Sequence, residues 1–427
     1  MTRSRRSRFF ARLQWDRAPA RPARAANLQL LSITQPGGAT PRDSDTPNRL
    51  ILGDNLEVMA ALLPKFEGRI GLIYADPPFF SGKAYPARIG RGEDSRRPNE
   101  WQTAAGYEDT WPQGADYLNM LFARLQLMHR LLSPTGTLYL HLDWHASAYA
   151  RLILDEIFGP ERFLNEIVWV YHGPSPIRSA FKRKHDTILV YTKSERHTFN
   201  PDAVRVPYDP TTVRTFAGSP RAGFGKKPDL DRGKVPEDWW YFPVVARLHG
   251  ERTGFPTQKP EALLRRIVLA SSNPGDWVAD FFCGSGTLPV VASQLGRRWL
   301  ACDCSPLAAL TTYRRLLLST TGVAVQLWSA LPAEPVASAR VELLEQGGEW
   351  VARLASLGLG IPFPKSLELW EIDWDYDGRL FRSRAQAVRP WRGETIPLTL
   401  TLPAGVSRLA IRAFDQQGKT YFGLALI

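Results

Sequence analysis

The chain has 427 residues and a net charge of +12, length enough for two or three domains and a surplus that favours an anionic partner, nucleic acid above all. No apolar run reaches the roughly 18 residues that a membrane span needs, and the Arg-rich N-terminus lacks the apolar core of a secretory signal. Three cysteines, Cys283, Cys302 and Cys304, have no paired spacing, which excludes a disulfide framework and a zinc site and points to a soluble protein of a reducing compartment.

Residues 1–48 read as a basic, disordered tail. Eight arginines fall between Met1 and Arg24, among Ser, Ala and Pro, and such a segment cannot bury enough surface to offset its ordering entropy. From Arg49 the pattern alternates strand and helix. Residues 49–194 form one half of an α/β domain. Leu50 to Leu52 is a short strand ending at Gly53-Asp54, and a helix follows from Asn55 to Phe66. Ile70 to Ala75 is a buried strand that stops on Asp76-Pro77-Pro78-Phe79. Two prolines end its ladder and stiffen the turn, so an acid is held at the carboxyl end of a strand, where ligands bind in open α/β sheets. Gly82 to Gly114 reads as a long structureless insertion with Lys83, Arg88, Arg91, Arg96 and Arg97. A helix over Asp116–Leu132, a turn at Ser133–Gly136, a strand over Thr137–Leu142 and a helix over Ser147–Phe158 complete this half, with strands at Ile167–Tyr171 and Thr187–Thr192.

Residues 195–253 break the alternation and read as a recognition insertion. Between Arg178 and Arg252 fifteen Lys/Arg face nine Asp/Glu, and Trp239, Trp240, Tyr241 and Phe242 lie among them. Cations on phosphates and rings against bases suit nucleic acid. Residues 254–325 resume the alternation as a cofactor-binding half. Its strand Trp277–Asp280 opens into Phe281-Phe282-Cys283-Gly284-Ser285-Gly286-Thr287, and the next strand ends at Asp303. Glycines let backbone approach a ligand. An acid one strand later accepts from ribose hydroxyls, or caps the helix that follows. One short GxG and no Walker lysine fit a nucleoside cofactor without a pyrophosphate. Residues 326–427 are a linker and a small antiparallel, sandwich-like β-domain. Asp373, Asp375 and Asp377 open a calcium-like loop whose twelfth position is Arg384 instead of Glu, which rules calcium out.

Together the Asp-Pro-Pro-Phe turn, the later FCGSGT and the TQKPEALLRRIV before it resemble the amino-methylating DNA methyltransferases. The motif order is similar to their beta subgroup, and GDNLEVMAALLPKFEGRIGLIYADPPF resembles modification subunits of type III restriction systems. The likeness spans Arg49 to Ser319. It implies a Rossmann-like α/β fold with a mostly parallel sheet and methyl transfer from S-adenosylmethionine to the exocyclic N6 amine of adenine in double-stranded DNA, in the interior of a bacterial or archaeal cell. Asp76, Pro77, Pro78 and Phe79 are then catalytic. Asp54, Lys259, Asp280, Phe282, Gly284, Ser285, Gly286, Thr287 and Asp303 hold the cofactor, with Gln258 and Pro260 beside them. A homodimer and a restriction or defence partner are the further candidates that the resemblance raises. Two departures stand out: Phe79 replaces the family's usual tyrosine, and Phe281 its usual proline. Cytosine-N4 methylation and a catalytically silent DNA-binding subunit are the alternatives.

Overall fold

A computed structural model describes residues 11–18, 23–34, 48–89, 102–217, 229–246, 249–319, 324–332, 337–358, 360–390, 395–406 and 408–426. The elements run β1 (Gln29–Thr34), β2 (Arg49–Leu52), α1 (Asn55–Phe66), β3 (Ile70–Ala75), β4 (Lys83–Ile89), β5 (Gln102–Asp109), α2 (Gly114–Leu131), β6 (Leu132–Leu142) and α3 (Ser147–Phe158). Next come β7 (Phe163–Val170), β8 (His185–Thr192), α4 (Pro210–Ala217), β9 (Trp239–Tyr241), α5 (Glu261–Ser271), β10 (Trp277–Asp280), α6 (Thr287–Gln294), β11 (Arg298–Asp303) and α7 (Pro306–Leu318). The chain closes with β12 (Val325–Ser329), β13 (Ala337–Gln346), β14 (Glu349–Leu357), β15 (Leu367–Asp373), β16 (Phe381–Ser383), β17 (Ala385–Val388), β18 (Thr399–Thr401), β19 (Arg408–Asp415) and β20 (Thr420–Leu426).

An eleven-stranded sheet has the order β16-β1-β12-β2-β11-β10-β3-β6-β8-β7-β9. Its centre, from β12 to β6, is parallel throughout, as expected for a Rossmann-like α/β fold. The short runs RLIL and IGLIYA are apolar on both sides of the pleat, which suits strands covered on both faces. Leu50 and Leu72 pack with α5, α6 and α7. Their neighbours Ile51 and Ile73 turn the other way, into the core under α1, α2 and α3. Between consecutive strands β2 and β3 the sheet inserts β11 and β10, which come from the far side of the insertion at 195–253. That crossover brings the two motifs of the sequence to adjacent strand ends.

Four expectations change. The segment before residue 48 is no free tail where it is described. Leu-Leu-Ser-Ile within β1 is apolar enough to pair with β12 and β16, and Trp15 and Arg17 anchor upstream on Asn119 and Glu156. Residues 1–10, 19–22 and 35–47 lie outside the described residues. The insertion after Gly82 is an antiparallel hairpin of β4 and β5, tied by stacked Tyr85 and Tyr107 with ring centroids 4.9 Å apart. Arg91, Arg96 and Arg97 fall outside the described residues. Part of the insertion at 195–253 is built into the main sheet, because Trp239–Tyr241 pairs in parallel with β7 and buries Trp240.

The fourth change concerns the C-terminal β-domain. It is one seven-stranded sheet, β17-β15-β19-β20-β13-β14-β18, whose two edge strands approach each other. The sheet thus curls back on itself, and β13 pairs with β20 through its start and with β14 through the rest of its length. It reaches back to residue 337, and its β16 crosses into the main sheet. Charged side chains buried together bind it to α7. Glu371 pairs with Arg412 and accepts from Tyr313 at 2.8 Å, while Arg412 donates to Ser32 at 2.6 Å. Arg314 and Arg389 pair with Glu368. The calcium-like carboxylates are occupied similarly, Asp375 by Arg384 and Asp377 by Arg382.

Candidate active site

Five neighbouring parallel strands end on an acid. Asp54 follows β2, Asp303 ends β11, Asp280 ends β10, Asp76 follows β3 and Asp143 follows β6. A cleft of about 990 Å³ opens above four of them, lined by Asp54, Asp76, Asp280 and Asp303 together with Phe79, Lys259 and the glycine turn. This is the carboxyl edge where an open α/β sheet presents its ligand site.

The turn after β3 is shaped from outside itself. Asp109, fully buried at the end of β5, accepts backbone N–H bonds from Phe79 (3.1 Å), Phe80 (3.0 Å) and Ser81 (2.7 Å). It also accepts from the Ser81 hydroxyl and the Trp111 indole. Tyr117 on α2 donates to the Pro78 carbonyl at 3.0 Å. Held from both sides, Phe80 adopts φ 65°; it and Thr257 at 53° are the non-glycine residues with positive φ among the described residues. Both flank the cleft, and such strain persists only where surroundings over-determine it.

Asp76 is ion-paired with Lys259 through Oδ2, and its Oδ1 is buried without a hydrogen-bond partner among the described residues. The resemblance puts Lys259 among the cofactor residues; its ammonium sits on Asp76 instead, and also donates to the Thr257 carbonyl at 3.3 Å. Asp280 lies behind the pair. Burial pushes its pKa well up, the Phe282 N–H bond opposes that, and the negative charge of Asp76 adds to it.

The Phe79 ring stacks on buried His141, centroids 5.8 Å apart. His141 in turn joins the Tyr74 hydroxyl at 2.7 Å and Asp186 at 3.2 Å, and Tyr171 donates to the other oxygen of Asp186 at 3.0 Å. This buried chain fixes the floor under Phe79.

The glycine turn is shaped by its positive-φ glycines and pinned by its neighbours. Gly284 has φ 48° and Gly286 φ 75°. A Cβ on Gly286 would lie 2.5 Å from the Thr312 hydroxyl, so α6 and α7 approach there only because that atom is missing. The Gly284 N–H donates to Asp303 Oδ2 and the Ser305 N–H to Oδ1, each at 2.9 Å. Asp303 is therefore both a cap for the following turn and, with lone pairs to spare, an acceptor lining the cleft. Ser285 and Thr287 face inward. Buried Arg315 donates to the Ser285 carbonyl and the Thr287 hydroxyl and pairs with Glu261. The Thr287 hydroxyl donates to the Lys259 carbonyl at 3.1 Å, so the TQKP and FCGSGT segments are stitched together. Asp54 caps α1 and pairs with Arg124. Gln258 is spent on its own loop, accepting from Thr253 and donating to the Glu251 carbonyl. Burial raises the thiol pKa of Cys283 and Cys302, which suits packing and not a thiolate nucleophile.

Of the thirteen site residues named from the sequence, all but Gly286 line this cleft, and Gly286 sits within its glycine turn. Asp109, Tyr117, His141, Asp186, Arg124 and Arg315 carry no signal that sequence reasoning picks up. Asp109 stands far along the chain from Asp76 in a polar stretch, and no local spacing marks it.

Comparison with known proteins fits this geometry. Residues 70–311, more than half of the chain, match the family model described as DNA methylase (N6/N4). Over 240 residues the chain is 32% identical to the DNA adenine methyltransferase YhdJ of Escherichia coli K12, covering 55% of this chain and 71% of that protein. The type II methyltransferase M.HpaI of Haemophilus parainfluenzae is 33% identical over 238 residues, which is 56% of this chain; the chain covers 65% of that relative's length. Among solved structures, a cytosine-N4-specific PvuII DNA methyltransferase aligns at TM-score 0.43 and 17% identity, covering 64% of this chain and 88% of that one. A sheet of this order, with an acid-Pro-Pro-aromatic turn beside a glycine turn, defines an amine-directed methyltransferase of the α/β class. The chain belongs to the N6/N4 family of DNA methylases.

Proposed function

We propose that the chain transfers a methyl group from S-adenosylmethionine to the N6 amine of adenine in double-stranded DNA. The observation that carries this reading is that Asp76, at the head of the Asp-Pro-Pro-Phe turn, lines one cleft with the glycine turn and Asp303. An exocyclic amine is a poor nucleophile because its lone pair is delocalised into the ring. Asp76 accepts one of its N–H bonds and the Pro77 carbonyl the other. Two acceptors favour a tetrahedral nitrogen and stabilise the positive charge that develops on it. Lys259 anchors the Asp76 carboxylate at the cleft. The base leaves the duplex stack at a cost of roughly a few kcal/mol and stacks on Phe79, which His141 supports from behind.

The cleft fits the cofactor. Gly284 and Ser285 of the glycine turn line it, Asp303 keeps free lone pairs for ribose hydroxyls, and Asp54 lines the neighbouring strand end. Bound S-adenosylmethionine supplies an electrophilic methyl group. The chain's part is to hold amine and methyl in line, where positioning contributes roughly 7–11 kcal/mol.

DNA as substrate is supported by the surface beyond the Asp76 turn. Arg183 lies 4.1 Å above the exposed Trp144 ring, Phe181 is 98% exposed just before Lys182-Arg183-Lys184, and Tyr241 is exposed on β9. Adenine is favoured by Asp in the position before Pro-Pro and by the name of the YhdJ relative. The type II names among the relatives support a restriction–modification setting. Nucleoside mass spectrometry of plasmid DNA incubated with protein and S-adenosylmethionine tests the reading. N6-methyladenine that vanishes in Asp76→Ala is the expected result. N4-methylcytosine would keep the mechanism and overturn the base, and no methylated base at all would sink the proposal.

A further inference from the structure

The C-terminal β-domain lies outside the residues matched by the family model, yet it reaches the cleft. The turn between β19 and β20 is rigid. Asp415 accepts from the N–H groups of Gln417 (2.9 Å) and Lys419 (3.0 Å) and from the Tyr421 hydroxyl (2.9 Å). Gly418, at φ 86°, sits directly on the start of α7, where a Cβ would lie 2.8 Å from the Pro306 carbonyl. On the other side Gln416 donates to Gln102 of β5 at 2.8 Å. The turn is therefore wedged between two walls of the cleft, and Gln417 at its tip lines the cleft with Ser305, Pro306 and Leu307. The buried pairs Glu371–Arg412 and Glu368–Arg314 hold the β-domain in that place.

We infer that Gln417 contacts the adenosine end of the cofactor, so that the C-terminal β-domain forms one wall of the cofactor site. The inference rests on the cofactor reading above. Pro306 closely follows the ribose-side acid Asp303, which puts Gln417 at the nucleoside end and not at the methyl. A primary amide both donates and accepts, matching the mixed polar edge of adenine or a ribose hydroxyl.

Isothermal titration of the full chain with S-adenosylmethionine and with S-adenosylhomocysteine is the test. The two ligands share the nucleoside, so Gln417→Ala should weaken both alike, by about fivefold, the scale of one neutral hydrogen bond. Thermal stability and duplex DNA affinity should not move. Gly418→Val, which drives the turn off Pro306, should weaken both ligands further while the chain still melts cooperatively. Unchanged affinities in Gln417→Ala overturn the inference, as does a loss confined to S-adenosylmethionine. A parent chain that binds neither ligand fails one step earlier, at the cofactor reading, and takes the inference with it.

Discussion

Two turns face each other across the cleft, and they are built on different principles. The turn after β10 takes its shape from its glycines, and Thr312 and Arg315 donate to its carbonyls. Gly284 and Gly286 take left-handed conformations without cost, and its acid partner Asp303 ends the next strand, hydrogen-bonded to the Gly284 N–H. The turn after β3 is imposed. Its prolines stiffen it, but Phe80 is held at positive φ by a buried carboxylate that arrives from β5 and by a tyrosine from α2. A glycine turn suits a cofactor, which needs close backbone approach. An imposed turn suits a reacting acid, which must be held in one place while a base enters and leaves.

The sharpest way to break this contrast is at the acid itself. Asp76→Ala should lower the methylation rate by about 10²–10³-fold, the scale for removing one transition-state hydrogen-bond partner, while cofactor affinity stays within about threefold as expected of a group that does not bind the cofactor. A single-turnover assay beside a cofactor titration checks both halves of the statement. An equal fall in cofactor affinity would place Asp76 with the other turn.

Asp109→Ala should come next. It touches neither ligand, yet it frees Phe79, Phe80 and Ser81 together. Loss of near-attack geometry predicts about 10²-fold in turnover, with roughly 2–3 kcal/mol of stability from the exposed donors. Denaturant melts and steady-state kinetics read the two. Turnover unchanged in a folded variant would mean that the turn holds itself.

Gly286→Ala should act on the opposite side. The new Cβ meets Thr312 and a left-handed φ, costing about 1–2 kcal/mol for the conformation and a similar amount for the crowding. Cofactor affinity should fall by about tenfold or more, with the rate at saturating cofactor nearly kept. Thr312→Ser, made together with it, should recover part of the loss by relieving the methyl contact.

The smallest effect is set by pH, away from both turns. His129, in the last turn of α2 at the end of that helix opposite the Asp76 turn, has its pKa lowered to about 4 by burial and then by the charge of Lys193. The unfolded chain, with an ordinary value of about 6.5, takes up the proton first as pH falls. Stability should therefore drop between roughly pH 6.5 and 4 and level off below. His129→Gln should flatten that part of the melting curve, and a slope left unchanged would assign the acid sensitivity to other groups.

What the sequence carried and what it withheld follow the same division. Strands β2, β3, β10 and β11 are legible because each is a short apolar run stopped by Gly-Asp, Asp-Pro-Pro, a glycine turn or Asp-Cys-Ser-Pro. The glycine turn and Asp303 are legible because their partners are near in the chain. The β4–β5 hairpin is not, since its residues are polar and its pairing depends on the cleft it overhangs. Nor is β1, a lone apolar hexamer inside an Arg- and Pro-rich segment, whose strand partners β12 and β16 come only after the whole α/β domain. The sequence by itself determined the class of sheet, the acids at its carboxyl edge and the chemistry that such an edge performs. Only the tertiary structure decided that Lys259 belongs to Asp76, that Asp109 shapes the reacting turn and that the C-terminal β-domain borders the cofactor cleft. The physical reason is that each of these rests on a buried polar contact between distant segments. Such contacts are specified by what surrounds them and leave no periodicity in the chain.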